Sequence, residues 1–313
     1  MKNWLPPLII VALAGLFLLI LFQFHQVDQT LTSPLGGERK IPSLNQWFPQ
    51  NVLGAVANAP EITAKSALFI DTKTGQVLYS KQEHEKLPIA SLAKVMTVLV
   101  AIEHRGLDEK LLVSTRASEM EPDEMILLPG EKLTLKELLY GIFLLSANDA
   151  AEVLAETSTG DRDEFIKLMN SKAELLGMKN TKFVNPTGLD EDSGNSYSSA
   201  YDLAVLARYV IKHYPFLVDI SGTEHIILPA TLEHQDYDMY SGINLLTTYP
   251  GVVGFKTGYT PGAGLTLITL ARNNGSPRSA GGAGHEVLGV LLGTENRRDE
   301  AKELLDYSFE QLF

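Results

Sequence analysis

The stretch "SLAKVMTVLVAIEHRG", residues 91–106, restricts the fold of this chain more than any other segment. It holds no proline and no glycine before Gly106, and beyond Lys94 its apolar side chains point in nearly every direction around a helical axis. A helix patterned in that way has no solvent face, so other elements must enclose it. That demands a large body. A chain of 313 residues, 45% hydrophobic and 20% charged, can supply one. Gly106 is the expected C-terminal stop of this helix.

The enclosing elements are legible as well. "SALFIDTKTGQVLYS" gives two apolar runs around a turn at Gly75, which predicts a hairpin. "LTLKELLYGIFLLSANDAAEVLAETSTG" reads as two helices meeting near Ser146, while "DEFIKLMNSKAELLGM" and "SSAYDLAVLARYVIKHY" read as amphipathic helices. "LTLITLAR" and "EVLGVLLG" are strand-like, separated by the glycine-rich loop of residues 273–284, to which no role can be given. "RRDEAKELLDYSFEQLF" closes the chain as a helix. Strands near both ends with helices between them predict a mixed α/β body over residues 61–313, with a sheet that gathers the first and last segments.

Ahead of that body, no side chain from Trp4 to Phe22 is charged or amidic. A helix of that length rises about 28 Å, close to the hydrocarbon thickness of a bilayer. No small-x-small cleavage site follows closely, so residues 1–24 are expected to be an uncleaved transmembrane anchor, with Lys2 in the cytoplasm. Residues 25–60 carry proline, glycine and polar residues without a period, and read as a flexible linker. The body would then lie outside the cell membrane. The formal charge of −12 and the lack of any basic run longer than a dipeptide argue against a nucleic-acid partner. Cysteine is absent, which excludes disulfides and thiolate chemistry. The histidines show no metal-ligand spacing, and no cofactor motif is present.

"GVVGFKTGYTPGAG", residues 251–264, has the outline of a phosphate-cradling loop. Such a loop needs glycine directly before the lysine and a helix directly after it. Residue 255 is phenylalanine, and "GYTPGAG" is hostile to helix, so a hairpin is the better reading. Lys-Thr-Gly by itself is weak, since Lys73-Thr74-Gly75 repeats it in an ordinary turn. The second copy gains weight from its company. Ser-x-x-Lys occurs as Ser91-Leu92-Ala93-Lys94, and Ser146-Ala147-Asn148 is the Ser-x-Asn that lies in a helical context between the other two motifs. That set in that order belongs to the penicillin-recognising serine enzymes.

The body resembles the serine-type D-alanyl-D-alanine carboxypeptidases, the low-molecular-weight penicillin-binding proteins of peptidase family S11. "LPIASLAKVMT", "TKFVNPTGLD", "YSSAYDLAVLA" and "GVVGFKTGYTPGAG" are among the blocks that carry the likeness. It implies a β-lactamase/transpeptidase-like fold, an antiparallel sheet flanked by helices with a mainly helical subdomain. It also implies D-alanyl-D-alanine carboxypeptidase action on peptidoglycan stem peptides through an acyl-serine, with β-lactams as inhibitors. Many members of that family continue into a β-rich second domain and a C-terminal membrane helix; here the anchor is expected at the N-terminus instead.

Residue chemistry fits. Ser91 and Lys94 share one helix face, so the amine can take the hydroxyl proton if burial and Lys256 keep it neutral. The Ser91 N–H would face the developing oxyanion. By resemblance, the backbone N–H of Tyr259 is the second donor, Ser146 relays a proton to the leaving amine and Asn148 orients the substrate amide. Lys256, fully charged, and Thr257 would hold the terminal carboxylate, with Gly258 completing that strand. The structural alternatives are a surface Ser–Lys pair, a helix cap at Ser146 and a solvated strand-end lysine at 256. The rival functions are a D,D-endopeptidase acting on cross-links, a non-catalytic penicillin-binding sensor, and a β-lactamase. The last needs a Glu-x-x-x-Asn loop, and Glu164 with Asn170 offers the wrong spacing.

Overall fold

The computed structural model describes residues 30–33, 37–40, 59–192, 194–273 and 284–312. The chain divides into two compact units, Met1–Ile41 and Pro42–Phe313. In the first, strands Thr30–Ser33 and Gly37–Lys40 pair antiparallel. The linker reading did not anticipate this ladder, because four-residue polar strands carry no readable period. The expected anchor, residues 1–24, lies outside the described residues. Among the described residues no helix is long and apolar enough to cross a membrane.

The second unit is built on a five-stranded antiparallel sheet. Its strands are β1 (Ser66–Asp71), β2 (Val77–Lys81), β3 (Val252–Thr260), β4 (Gly264–Arg272) and β5 (Glu286–Thr294), in the order β3-β4-β5-β1-β2. β5 pairs with β1 from Val287↔Asp71 to Leu292↔Ser66, so the sheet does join the first and last segments. The long helices are α1 (Lys94–His104), α2 (Asn148–Thr159), α3 (Arg162–Leu175), α4 (Ala200–His213) and α5 (Arg297–Glu310).

Alternation along the strands decides which helix covers which face. Phe69, Leu267, Val287 and Leu291 pack with Ala301, Leu304 and Leu305 of α5. The intervening residues Leu68, Ile268 and Val290 point the other way and are equally buried, on the face where α4 crosses β1 and β5. At the start of α5, the buried Glu300 carboxylate accepts hydrogen bonds from the Thr63 N–H at 2.7 Å and the Thr294 hydroxyl at 2.7 Å, which ties the first described turn of the body to its last helix.

α1 is the enclosed helix that the sequence demanded: every residue from Lys94 to Ile102 is buried, with α2, α3 and α4 packed around it. Its end differs from expectation. Arg105 turns extended (φ −131°, ψ 145°), so the helix stops at His104, two residues before Gly106, without a left-handed cap. The predicted break at Ser146 is present in sharper form. Helix Leu135–Tyr140, closed at its start by a Thr134–Glu137 capping box, widens into a π-type turn over Gly141–Leu145, and Ser146 then takes a left-handed conformation (φ 63°, ψ 24°). No helix follows Lys256-Thr257; both residues sit within β3, as the hairpin reading required.

Candidate active site

Ser91 lies in a tight 3₁₀ turn, Ala90–Ala93, directly ahead of α1, and its residue is 7% exposed. Lys94 is the first residue of α1, one turn on and wholly enclosed. Its amine meets three oxygens: Ser91 Oγ at 2.9 Å, Asn148 Oδ1 at 2.7 Å and the Thr187 carbonyl at 2.8 Å. The Asn148 amide is oriented because its Nδ2 donates to the Pro122 carbonyl, which leaves Oδ1 as an acceptor. Both Asn148 Oδ1 and the Thr187 carbonyl can only accept. A neutral amine has two N–H groups, so donating to those two leaves its lone pair facing the Ser91 hydroxyl.

The surroundings of the amine favour its neutral form. Burial pushes the Lys94 pKa well below its ordinary 10.5, and the charge of Lys256 pushes the same way, against the weaker pull of Asp123 and Asp149. Lys256, 1% exposed, lies with its amine 2.9 Å from Ser146 Oγ and 2.8 Å from the Thr257 carbonyl. Its pKa is lowered to about 7, first by burial and then by the Arg297 guanidinium. That places the titration of Lys256 close to neutral pH in the empty site. Sequence carries no measure of burial at a strand end, and burial is the main cause.

β3 is brought against the Ser91 turn by a residue without a side chain. A Cβ on Gly258 would lie 2.6 Å from Thr266 Oγ1 and 2.9 Å from the Ser91 nitrogen, which explains the glycine at that step. The Thr266 hydroxyl donates to the Ile89 carbonyl at 3.2 Å and ties the sheet to the same turn. Tyr259 follows on β3 with its side chain 61% exposed. Ser91, Lys94, Asn148, Ser146, Lys256, Thr257 and Gly258 are thus joined by contacts into one site, with Tyr259 next along the strand.

Four contributors escaped the sequence reading. Arg297, at the head of α5, donates from Nη1 to the Gly258 carbonyl at 2.8 Å. Thr187 offers a carbonyl, and Gly188 beside it (φ 80°) passes so close that a Cβ would meet the Ala90 carbonyl oxygen at 1.9 Å. Asp149 does not cap α2; its buried carboxylate accepts from the N–H groups of Met125, Leu127 and Ala150 and so fixes the loop ahead of the site. Burial raises the Asp149 pKa despite those bonds. Asp123 stands on that loop, where its carbonyl accepts from the Asn148 N–H at 2.7 Å. The helix-cap alternative for Ser146 fails, since Ala147 occupies the cap position without a side-chain bond. Glu164 pairs with Lys167 on the exposed side of α3, and Asn170 is spent on the backbone of Ile166 and Phe183, so neither joins the site.

Residues 54–280 match the family described as D-alanyl-D-alanine carboxypeptidase, peptidase S11. The carboxypeptidase DacF of Bacillus subtilis is 38% identical over 256 residues, covering 79% of this chain and 62% of that protein. The chain therefore spans less than two thirds of the Bacillus relative. A D-alanyl-D-alanine endopeptidase of Escherichia coli is 34% identical over 76% of each chain. Among solved structures, a D-alanyl-D-alanine carboxypeptidase of Mycobacterium tuberculosis superposes with a TM-score of 0.74 at 28% identity, covering 83% of this chain and 96% of that one.

Proposed function

Because this chain belongs to the D-alanyl-D-alanine carboxypeptidase family, we propose that it removes the terminal D-alanine from peptidoglycan stem peptides through an acyl-serine at Ser91. The observation that carries this reading is the buried Lys94 amine 2.9 Å from Ser91 Oγ, with its other two contacts made to oxygens that can only accept.

Ser91 Oγ attacks the carbonyl of the penultimate residue while its proton passes to Lys94 Nζ. The negative oxygen of the tetrahedral species is held by the N–H groups of Ser91 and Tyr259. Lys256 donates to Ser146 Oγ, which leaves the Ser146 hydroxyl proton for the leaving nitrogen. The C–N bond breaks as that proton is delivered, and the proton that Lys94 took from Ser91 replaces it on Ser146 and leaves Lys94 neutral again. D-alanine departs, and Ser91 is left as an ester. Water attacks that ester, giving its proton to the again neutral Lys94, which passes it to Ser91 Oγ as the ester C–O bond breaks, and the shortened peptide leaves with a new carboxylate. Lys256, Thr257 and Arg297 hold the carboxylate of the incoming peptide; on binding, that anion draws Lys256 back to its charged form. β-Lactams acylate the same serine. Residues 1–24 anchor the body to the cell membrane, residues 25–60 carry it away from the surface, and the catalytic unit works on the cell-wall side.

Intact mass after incubation with benzylpenicillin, followed by peptide mapping, tests this. One penicilloyl group on Ser91, with D-alanine release from a D-alanyl-D-alanine peptide lost in Ser91→Ala, is the expected result. No adduct, or one elsewhere, would overturn the reading. Rapid turnover of the penicillin would indicate the β-lactamase. Cleavage of cross-linked muropeptides in preference to free pentapeptides would instead indicate the endopeptidase activity that names the Escherichia coli relative.

A further inference from the structure

One short loop, residues 185–191, grips both sides of the cleft. Its shape is set from within by Asn185, which is 2% exposed. The Asn185 Oδ1 accepts from the Gly188 N–H at 2.6 Å and from the Thr187 hydroxyl at 3.2 Å, while its Nδ2 donates to the Leu189 carbonyl at 3.0 Å and to Glu191 Oε1 at 2.7 Å. A side-chain amide used at both ends in this way leaves the backbone around it little freedom. The near end of the loop serves the nucleophile. There the Pro186 carbonyl accepts from the Thr97 hydroxyl of α1 at 2.6 Å, and the Thr187 carbonyl accepts from Lys94 Nζ at 2.8 Å. The far end crosses to the sheet. Asp190 Oδ1 accepts from the Thr260 hydroxyl at 2.8 Å and Oδ2 from the Gly262 N–H at 2.9 Å, so one carboxylate spans the last residue of β3 and the turn that follows it. The Thr260 oxygen in turn accepts from the Ala263 N–H at 3.1 Å.

Those bonds bear on the chemistry because of what stands next to Thr260. β3 borders the sheet, so on its cleft side no neighbouring strand fixes its distance from the Ser91 turn. The residue before Thr260 is Tyr259, whose N–H is assigned to the oxyanion. Asp190 is exposed, and an exposed carboxylate adds little to a core; two directed bonds to the hairpin tip are a means of placing it. We propose that Asp190 is a positioning residue for acylation: through Thr260 and Gly262 it holds the Tyr259 N–H at a fixed distance from the Ser91–Lys94 pair, so that the oxyanion donors are aligned before the substrate arrives. This rests on the reading of the site given above. Lys256, Thr257 and Arg297, which hold the incoming carboxylate, make no bond to Asp190 among the described residues. The effect therefore falls on the acylation step and spares the complex that precedes it.

The test follows acylation of Ser91 by a fluorescent penicillin over a range of concentrations, which separates the acylation rate constant from the dissociation constant of the preceding complex. Asp190→Ala removes both acceptors, and Thr260→Val removes the hydroxyl while keeping its shape. Each slows acylation about tenfold, as small misplacements of reacting groups do, and leaves the dissociation constant unchanged. The double variant is no slower than the slower single one, because both break the same connection. Thr260→Ser, which keeps the hydroxyl, restores most of the wild-type rate. An unchanged rate constant in either single variant overturns the proposal, and so do losses that multiply in the double variant or that fall wholly on the dissociation constant. A smaller share of molecules open to acylation, with a normal rate in the rest, would mean a merely structural role and overturns it too. If one variant does not fold, the other decides alone; if neither folds, the carboxylate supports the fold and the proposal falls. Failure of the underlying reading is distinct, since wild type then forms no penicilloyl-Ser91 at all.

Discussion

Replacing Lys256 with methionine separates what the buried amine does for the fold from what it does for binding. In the folded protein its pKa is about 7, against an ordinary 10.5. The unfolded chain therefore holds a proton between those limits that the folded chain has lost, and stability rises with pH across that window, by up to about 1.4 kcal/mol per pH unit. Below about pH 7 the destabilisation is fully present, on the order of 5 kcal/mol from this lysine. Lys256→Met removes that burden but leaves Ser146 Oγ and the Thr257 carbonyl without their donor, at about 1–3 kcal/mol for each. The lost bonds do not depend on pH, whereas the titration does. Between pH 7 and pH 9.5 the stability difference should therefore move by about 3 kcal/mol in favour of wild type. Both tryptophans, Trp4 and Trp47, precede the described body, so urea unfolding at the two pH values is followed by far-ultraviolet circular dichroism. A difference that stays flat, or grows in favour of the variant, would refute the burial argument for Lys256.

Free-enzyme kcat/KM for an anionic peptide should fall on the alkaline side with a midpoint near the Lys256 pKa of about 7, and Arg297→Gln should move that limb upward by removing a repelling cation. A profile flat from about pH 6 to 9 would contradict it. Gly258→Ala should slow penicillin acylation of Ser91 by at least about tenfold, because its methyl would sit 2.9 Å from the Ser91 nitrogen; an unaltered acylation rate would show the strand free to retreat. Asp149→Asn turns an amide N–H₂ toward backbone donors and should cost about 2–4 kcal/mol by urea denaturation, with acylation of Ser91 slowed as the loop beside Asn148 loosens.

Local chemistry made half of this site visible in the sequence. Ser91 and Lys94 share a helical face by spacing alone, and the all-round apolar pattern after Lys94 already required the burial that neutralises it. The break at Ser146 was readable, because a helix of mixed strength meets Ser-Ala-Asn-Asp there. Arg297 was not. It reaches Gly258 because β5 runs antiparallel to β4, so the helix that follows Thr294 begins beside the β3–β4 hairpin; no local pattern encodes that return. Thr187 acts through a backbone carbonyl, which every residue possesses, and so has no signature. Asp123 looked like one more acid in the run "EMEPDE", and only its placement beside Asn148 sets it apart.

β3 ends the sheet, and a nine-residue border strand is ordinarily an invitation for two molecules to zip together. Here the register slips between Val252 and Gly254, the buried ammonium group of Lys256 sits on the strand, and the Ala90–Ala93 turn is pressed against Gly258. These are the devices by which natural sheets discourage self-association. The features that would admit a single extended peptide thus also make the border inhospitable to a sister molecule, so damage to the groove should show itself as turbidity as well as lost turnover.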